Sequence, residues 1–188
     1  VKKFTRIEPT TVEEFGSKYK RQAVIKRFQT EDGMRHEFTM INKEGARAAA
    51  VIALTPDNQV ISMYEFRPNS ESWVYEIPGG SLYESEDPET GAIRELREET
   101  GYVPGNIQYL GESYDDACAN MVRHYYFATD CRLDKDGAVL DREEHEQGAE
   151  MRLITINELI DSAIGGTMTD PRAVLQAYEK LKELEGGK

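Results

Sequence analysis

The chain has 188 residues, of which 39% are apolar, and a formal net charge of −12. That length suits one domain, or one domain with an extension, and the apolar share suffices for a modest core. An acidic surface repels a phosphate backbone, which argues against polynucleotide partners, and no apolar run approaches the ~20 residues of a membrane span.

An acidic protein can still take a small polyanion if divalent metal and a few cationic side chains mask the repulsion. No apolar stretch follows Lys2 and Lys3, so a secretory leader is not expected. Two cysteines, Cys118 and Cys131, make neither a disulfide framework nor a zinc or redox pattern. A cytoplasmic address is the default expectation.

In chain order, residues 21–29 and 34–41 flank Thr30-Glu31-Asp32-Gly33, a hairpin-type turn. The apolar run within Gly45–Leu54 fits strand or helix by content. The turn Thr55-Pro56-Asp57-Asn58 and the strand-like Val60–Phe66 after it favour a strand–turn–strand unit. The firmest helix covers 88–100: Asp87 is a good N-cap, Pro88 suits the first helical position, and Gly101 suits the position just past the end. Met121–Thr129 reads as a strand rich in aromatic and β-branched residues. Asp134–Gly148 is polar and acid-rich and reads as a loop. A short strand is expected at Met151–Thr155, then helices at Ile156–Ala163 and Pro171–Leu184, joined across Gly165-Gly166. Strands first, one embedded helix and terminal helices imply an α+β layered domain.

Within 88–100 the carboxylates of Glu95, Glu98 and Glu99 fall three and four residues apart, on one helical face. Such a face repels itself unless a cation neutralises it. Magnesium suits it, because that ion takes carboxylate oxygens, waters and substrate phosphate in an octahedral shell. It can polarise a phosphoryl oxygen and acidify a bound water. Arg94 is placed to pair with Glu98 one turn on and to orient it. A solvated acidic helix face would explain the glutamates alone. It would not explain the glycines, the arginine and the spacings together.

Those spacings are Gly80, five residues, Glu86, seven residues, then Arg94-Glu95-Leu96-Arg97-Glu98-Glu99-Thr100-Gly101-Tyr102. The pattern resembles the Nudix box at all seven of its fixed positions, with Tyr102 where an aliphatic side chain is more usual. The resemblance implies a magnesium-dependent hydrolase of pyrophosphate linkages, with manganese a possible substitute, and adds the backbone carbonyl of Gly79 as a metal ligand beside Glu95, Glu98 and Glu99. The implied fold is the Nudix α/β/α sandwich, a mixed sheet between helices.

Tyr64-Glu65-Phe66-Arg67 and Trp73-Val74-Tyr75-Glu76-Ile77-Pro78-Gly79-Gly80 resemble the branch that cleaves ADP-ribose and nucleoside diphosphate sugars. That branch implies Arg67 as a phosphate-binding residue; on its own Arg67 could equally be a surface arginine. It also implies a glutamate pair in a loop after the box. Within Asp141-Arg142-Glu143-Glu144-His145-Glu146 the best fit is Glu144 as general base and Glu146 as a further metal ligand. Glu143 and Glu150 are alternatives, and a solvated acidic loop is the bland reading. The segment Ser113–Asn120 reads as a loop and lacks the Ser-Pro-Gly type sequence common in ADP-ribose enzymes, which leaves nucleoside diphosphate sugars open. Phe28, Trp73 and Tyr114 are candidates for stacking on a nucleobase, although such residues are more often core.

The division expected is an antiparallel β extension at 1–44, used for dimerisation, and a catalytic domain at 45–188. The partner set expected is a small nucleotide and a second copy of the chain, with no nucleic acid polymer and no membrane. The alternatives are a nucleoside triphosphate pyrophosphatase and a non-catalytic nucleotide sensor.

Overall fold

The computed structural model describes residues 2–16, 21–135 and 148–186. They form two compact units, one of residues 2–16, 21–47 and 113–123 and the other of residues 48–112, 124–135 and 148–186.

In the first unit β1 (Phe4–Phe15), β2 (Arg21–Thr30) and β3 (Arg35–Ile41) build an antiparallel sheet in the order β1-β2-β3. The turn that Thr30-Glu31-Asp32-Gly33 announces is present. Gly33 takes φ +85°, its N–H donates to Thr30 O at 2.9 Å, and Thr30 N–H donates to Met34 O at 2.9 Å. β1 has no clean alternation to announce it, because its register against β2 shifts between Ile7 and Thr11. The register puts Phe4, Phe28, His36 and Phe38 on one face, with their rings in a continuous row. The segment 115–120 is pinned to the end of β3: Ile41 N–H donates to Cys118 O at 2.7 Å, and Asn120 N–H to Ile41 O at 2.8 Å.

The larger sheet, most of whose residues belong to the second unit, uses β4 (Arg47–Leu54), β5 (Val60–Arg67), β6 (Ser72–Glu76), β7 (Gly79–Ser81), β9 (Asn106–Tyr114), β10 (Val122–Thr129) and β12 (Glu150–Ile154). The sheet order is β12-β5-β4-β10-β9, with β6 beside β5 and β7 beside β4. A small pair, β8 (Tyr102–Val103) with β11 (Arg132–Leu133), stands apart. β9 runs through Tyr114, so Ser113 and Tyr114 are strand and not loop. Its exposed Asn106, Gln108, Tyr109, Glu112 and Tyr114 leave no apolar alternation to read from sequence.

β4 explains the layering. Ala50, Ile52 and Leu54 join one core with Leu159, Val174 and Leu181, from α2 (Ile156–Gly165) and α3 (Pro171–Gly186). Ala49, Val51 and Ala53 join the other core with Ala92 and Leu96 of α1 (Pro88–Thr100). A strand buried on both faces must be apolar at every position, which is why its run fits strand or helix equally by content. The outcome is helix on both faces of a sheet, the α+β sandwich expected. Among the described residues no helix is long and apolar enough to cross a membrane.

α2 starts with a complete capping box: Thr155 Oγ1 accepts Glu158 N–H at 3.1 Å, and the Glu158 carboxylate accepts Thr155 N–H at 2.7 Å. Thr155→Ala should lower the unfolding free energy by about 1 kcal/mol, seen as a lower urea midpoint at unchanged m-value. An unmoved midpoint would mean that packing alone holds α2.

Candidate active site

α1 is set by its caps. Asp87 Oδ2 accepts Thr90 N–H at 3.0 Å, and Pro88 occupies the first turn, where a missing N–H does no harm. At the other end Gly101 takes φ 76°, and its N–H donates to Arg97 O at 2.9 Å. The helix therefore spans 88–100 as the sequence predicts, and Glu95, Glu98 and Glu99 lie on adjoining turns near its C-terminal end.

Arg94 is the hub of this end. Its Nε and Nη2 donate to the two carboxylate oxygens of Glu86 at 2.9 and 3.0 Å. Nη1 donates to Glu95 at 2.9 Å and to Glu98 at 2.8 Å, and Nη2 also reaches Ser81 O at 3.2 Å. The guanidinium lies 4.4 Å from the centroid of the Tyr83 ring. Three carboxylates, led by Glu86, hold Arg94 protonated well above its ordinary range. The expected Arg94–Glu98 pair is present. The Glu86 pair is the stronger, being bidentate and largely buried. Its signal was in the box, which fixes a glutamate eight residues before the arginine.

The remaining box carboxylate is held by backbone. Glu99, buried, accepts the N–H of Gly79 at 3.2 and 3.4 Å. Burial pushes the Glu95 carboxyl above the usual carboxylate range, opposed by the Arg94 charge. The two glycines are needed for different reasons. A Cβ on Gly79 would stand 2.5 Å from Ala49 O on β4, and one on Gly80 would stand 2.7 Å from Glu95 Oε1. Among the described residues, no three carboxylates, imidazoles or thiols stand together as a ready cation cage. The oxygens of Glu95 and Glu98 are turned to Arg94, and those of Glu99 to Gly79. The donor type is nonetheless right for a hard divalent cation: carboxylate oxygens on one helix, with a backbone strand beside them.

Ladder register decides which other residues share this side of the sheet. Ile61 packs in the core with Ala92 and Leu96 of α1. Residues two apart, and residues directly opposite across an antiparallel pair, share a face. Met63, Glu65 and Arg67 of β5, Val74 and Glu76 of β6, and Met151 and Leu153 of β12 therefore lie on the α1 side. Arg67 is among them, its guanidinium held by Glu76 and Glu65. Neither carboxylate was singled out from the sequence, although the alternation of β5 places Glu65 and Arg67 together.

Trp73 projects from the opposite face, in a row with Phe66, Tyr64 and Tyr75. Glu150 pairs with Tyr64 and so shares that opposite face, with its carboxylate on Arg152 at 2.9 Å. Phe28 belongs to the first unit, packed against Phe4 and Phe38. Tyr114 also belongs to the first unit and is exposed. Glu143, Glu144 and Glu146 lie outside the described residues. Cys118 is exposed, and burial pushes the Cys131 thiol up to about 11, which leaves it protonated and unreactive.

Residues 45–176 match the family model described as the NUDIX domain. Over 138 residues the chain is 35% identical to a methanol dehydrogenase activator of Bacillus methanolicus, covering 72% of this chain and 73% of that protein. Over 116 residues it is 32% identical to an ADP-ribose pyrophosphatase of Bacillus subtilis (strain 168), covering 61% of this chain and 63% of that protein, somewhat less than two thirds of its length. Among solved structures, one described as an ADP compounds hydrolase superposes with a TM-score of 0.73 over 94% of this chain and 96% of that chain, at 16% identity. At that identity the likeness is one of fold.

Gly80→Ala should destabilise the protein by about 1–3 kcal/mol, because the new methyl must displace the Glu95 carboxylate. In a Glu95→Ala background most of that cost should vanish. A double-mutant cycle by chemical denaturation reads this directly. An undiminished cost would show that Glu95 is not what requires the glycine.

Proposed function

The chain belongs to the NUDIX family, and on that premise we propose that it hydrolyses the pyrophosphate of ADP-ribose or a nucleoside diphosphate sugar to a nucleoside monophosphate and a sugar phosphate. The observation that carries the reading is the joining of two charge systems on one side of the sheet. The box carboxylates surround Arg94 on α1, and Arg67 lies on the same face of β5.

Glu95, Glu98 and Glu99, with the Gly79 carbonyl, would hold the divalent cation, magnesium or in its place manganese. Once bound, that cation supplies charge neutralisation for the phosphoryl oxygens and a more acidic water. Arg94 keeps the glutamates oriented. Glu98 is the most exposed of its partners, at 41%, and so the freest to turn toward a ligand. Arg67 offers a guanidinium to a substrate phosphate. Water adds to one phosphorus, the bridging P–O bond breaks, and a carboxylate takes the proton. Glu144 is proposed for that base and Glu146 for a further ligand, on sequence grounds alone.

Phe28, Trp73 and Tyr114 are proposed contacts to the base on sequence grounds alone, Trp73 standing on the face of β6 opposite that of Arg67. Trp73 is the chain's one tryptophan, so its fluorescence reports directly on any stacking there. Two free cysteines support a reducing, cytoplasmic setting. A homodimer through residues 1–44 is proposed from the exposed Phe4 and Phe38 on one face of the first unit. The identity to the methanol dehydrogenase activator favours a second reading, in which the chain acts on a methanol dehydrogenase. Methanol oxidation by a methanol dehydrogenase, measured with and without the chain, tests it.

Against a panel of ADP-ribose, nucleoside diphosphate sugars and nucleoside triphosphates, chromatography should show monophosphate and sugar phosphate from the first two classes. Release of inorganic pyrophosphate would instead indicate a triphosphate enzyme, and no product at all a sensor. Turnover should require divalent metal and fall by on the order of 10²-fold or more in Glu98→Gln and in Glu99→Gln. Near-normal turnover in both would remove these residues from the metal site. Arg67→Ala should raise KM more than it lowers kcat, since phosphate charge is present before and during the reaction.

A further inference from the structure

Arg67 stands at the end of the β5–β6 hairpin, opposite Ser72. A long side chain there would ordinarily run off the sheet into solvent. Its guanidinium is instead drawn back along the strand. Nε and Nη2 donate to both oxygens of Glu76, and Nη2 lies 3.2 Å from Glu65 Oε2. Glu76 is opposite Met63, four positions back along the ladder from the Arg67–Ser72 pair, so the two side chains reach toward each other along one face. The direction matters. Glu76 is three residues from Gly79, whose N–H is held by Glu99 of the box. The carboxylates thus pull Arg67 toward the end of β6 that leads into the box.

The burial is unlike that of a pair kept for stability. The side chains of Glu65 and Glu76 are 10% and 12% exposed, against 40% for Arg67. Two desolvated carboxylates serve one half-exposed cation. Burial raises the Glu65 carboxyl, with Arg67 acting against that and Glu76 adding to it. For stability alone, apolar side chains of similar volume would do as well or better. What the carboxylates supply is orientation, because a bidentate partner fixes the plane of a guanidinium.

We propose that Glu76, backed by Glu65, is a positioning residue that fixes the plane and reach of Arg67, so that the guanidinium meets the substrate pyrophosphate without first being ordered. This rests on the reading of Arg67 as a phosphate-binding residue. A side chain ordered in advance loses less freedom when the ligand arrives, and the gain appears in binding more than in turnover.

Steady-state kinetics with ADP-ribose and magnesium test it, with thermal denaturation run alongside. Glu76→Gln should raise KM about 5- to 20-fold with kcat within about 3-fold. Glu76→Asp, which keeps the charge but shortens the reach, should fall between it and the parent. Arg67→Ala should raise KM more than about 10-fold, and adding Glu76→Gln to it should change nothing further, because no guanidinium remains to be positioned. If Glu76→Gln fails to fold, Glu65→Gln carries the same comparison. An unchanged KM in Glu76→Gln, with KM raised in Arg67→Ala, overturns the positioning role and leaves Arg67 as a phosphate ligand. Additive effects in the double variant overturn it too. An unchanged KM in Arg67→Ala removes the phosphate-binding reading and the positioning role with it.

Discussion

The site depends on one constraint: several carboxylates must be kept close together before any ligand arrives. Two like charges at ~4 Å repel by about 4 kcal/mol at an effective dielectric of 20. Arg94 offsets this by placing one cation among Glu86, Glu95 and Glu98. Because the same guanidinium also reaches Ser81 O and covers Tyr83, it ties the segment between β7 and α1 to the helix. The close approach of Gly80 follows, since Glu95, turned toward Arg94, fills the space where a Cβ would stand. Glycine, arginine and glutamates are parts of one packing and charge problem.

The sheet solves a second problem, that of direction. β4 is buried on both faces, so the chain's two helical layers share one central strand without meeting. Register then sorts β5 and β6 into two populations. Glu65, Arg67 and Glu76 go to the α1 side, and Tyr64, Phe66, Trp73 and Tyr75 to the other. A shift of one residue in the β5–β6 pairing would carry Glu76 to the other face, away from Arg67. The β5–β6 hairpin is therefore as necessary to the site as the helix, although it holds no box residue. Its turn is tight, with Ser70 N–H donating to Arg67 O at 3.2 Å and Glu71 at φ 50°.

Local signals were the legible part of the sequence. The caps at Asp87 and Gly101 fixed α1 to the residue, and the turn at Thr30–Gly33 marked its hairpin, because both are decided by chemistry within a few residues. β9 escaped, since its exposed polar residues leave no alternation to read. The pairing of Arg94 with Glu98 was foreseen from helical spacing, while its bidentate bond to Glu86 depends on how the preceding turn folds back. Glu76 was invisible as a partner of Arg67 because its proximity is a property of β-sheet register, which no single strand encodes, whereas Glu65 lies two residues before Arg67 and shares its face by strand alternation alone. The face on which Trp73 would stand was equally out of reach.

In the proposed reaction this arrangement cleaves a pyrophosphate by addition of water at one phosphorus. Turnover of ADP-ribose in oxygen-18 water, followed by mass spectrometry of the products, addresses it most directly. Two phosphomonoesters, AMP and ribose phosphate, should form, with a single heavy oxygen carried by one of them. Release of orthophosphate or inorganic pyrophosphate, or no product with divalent metal present, would contradict it.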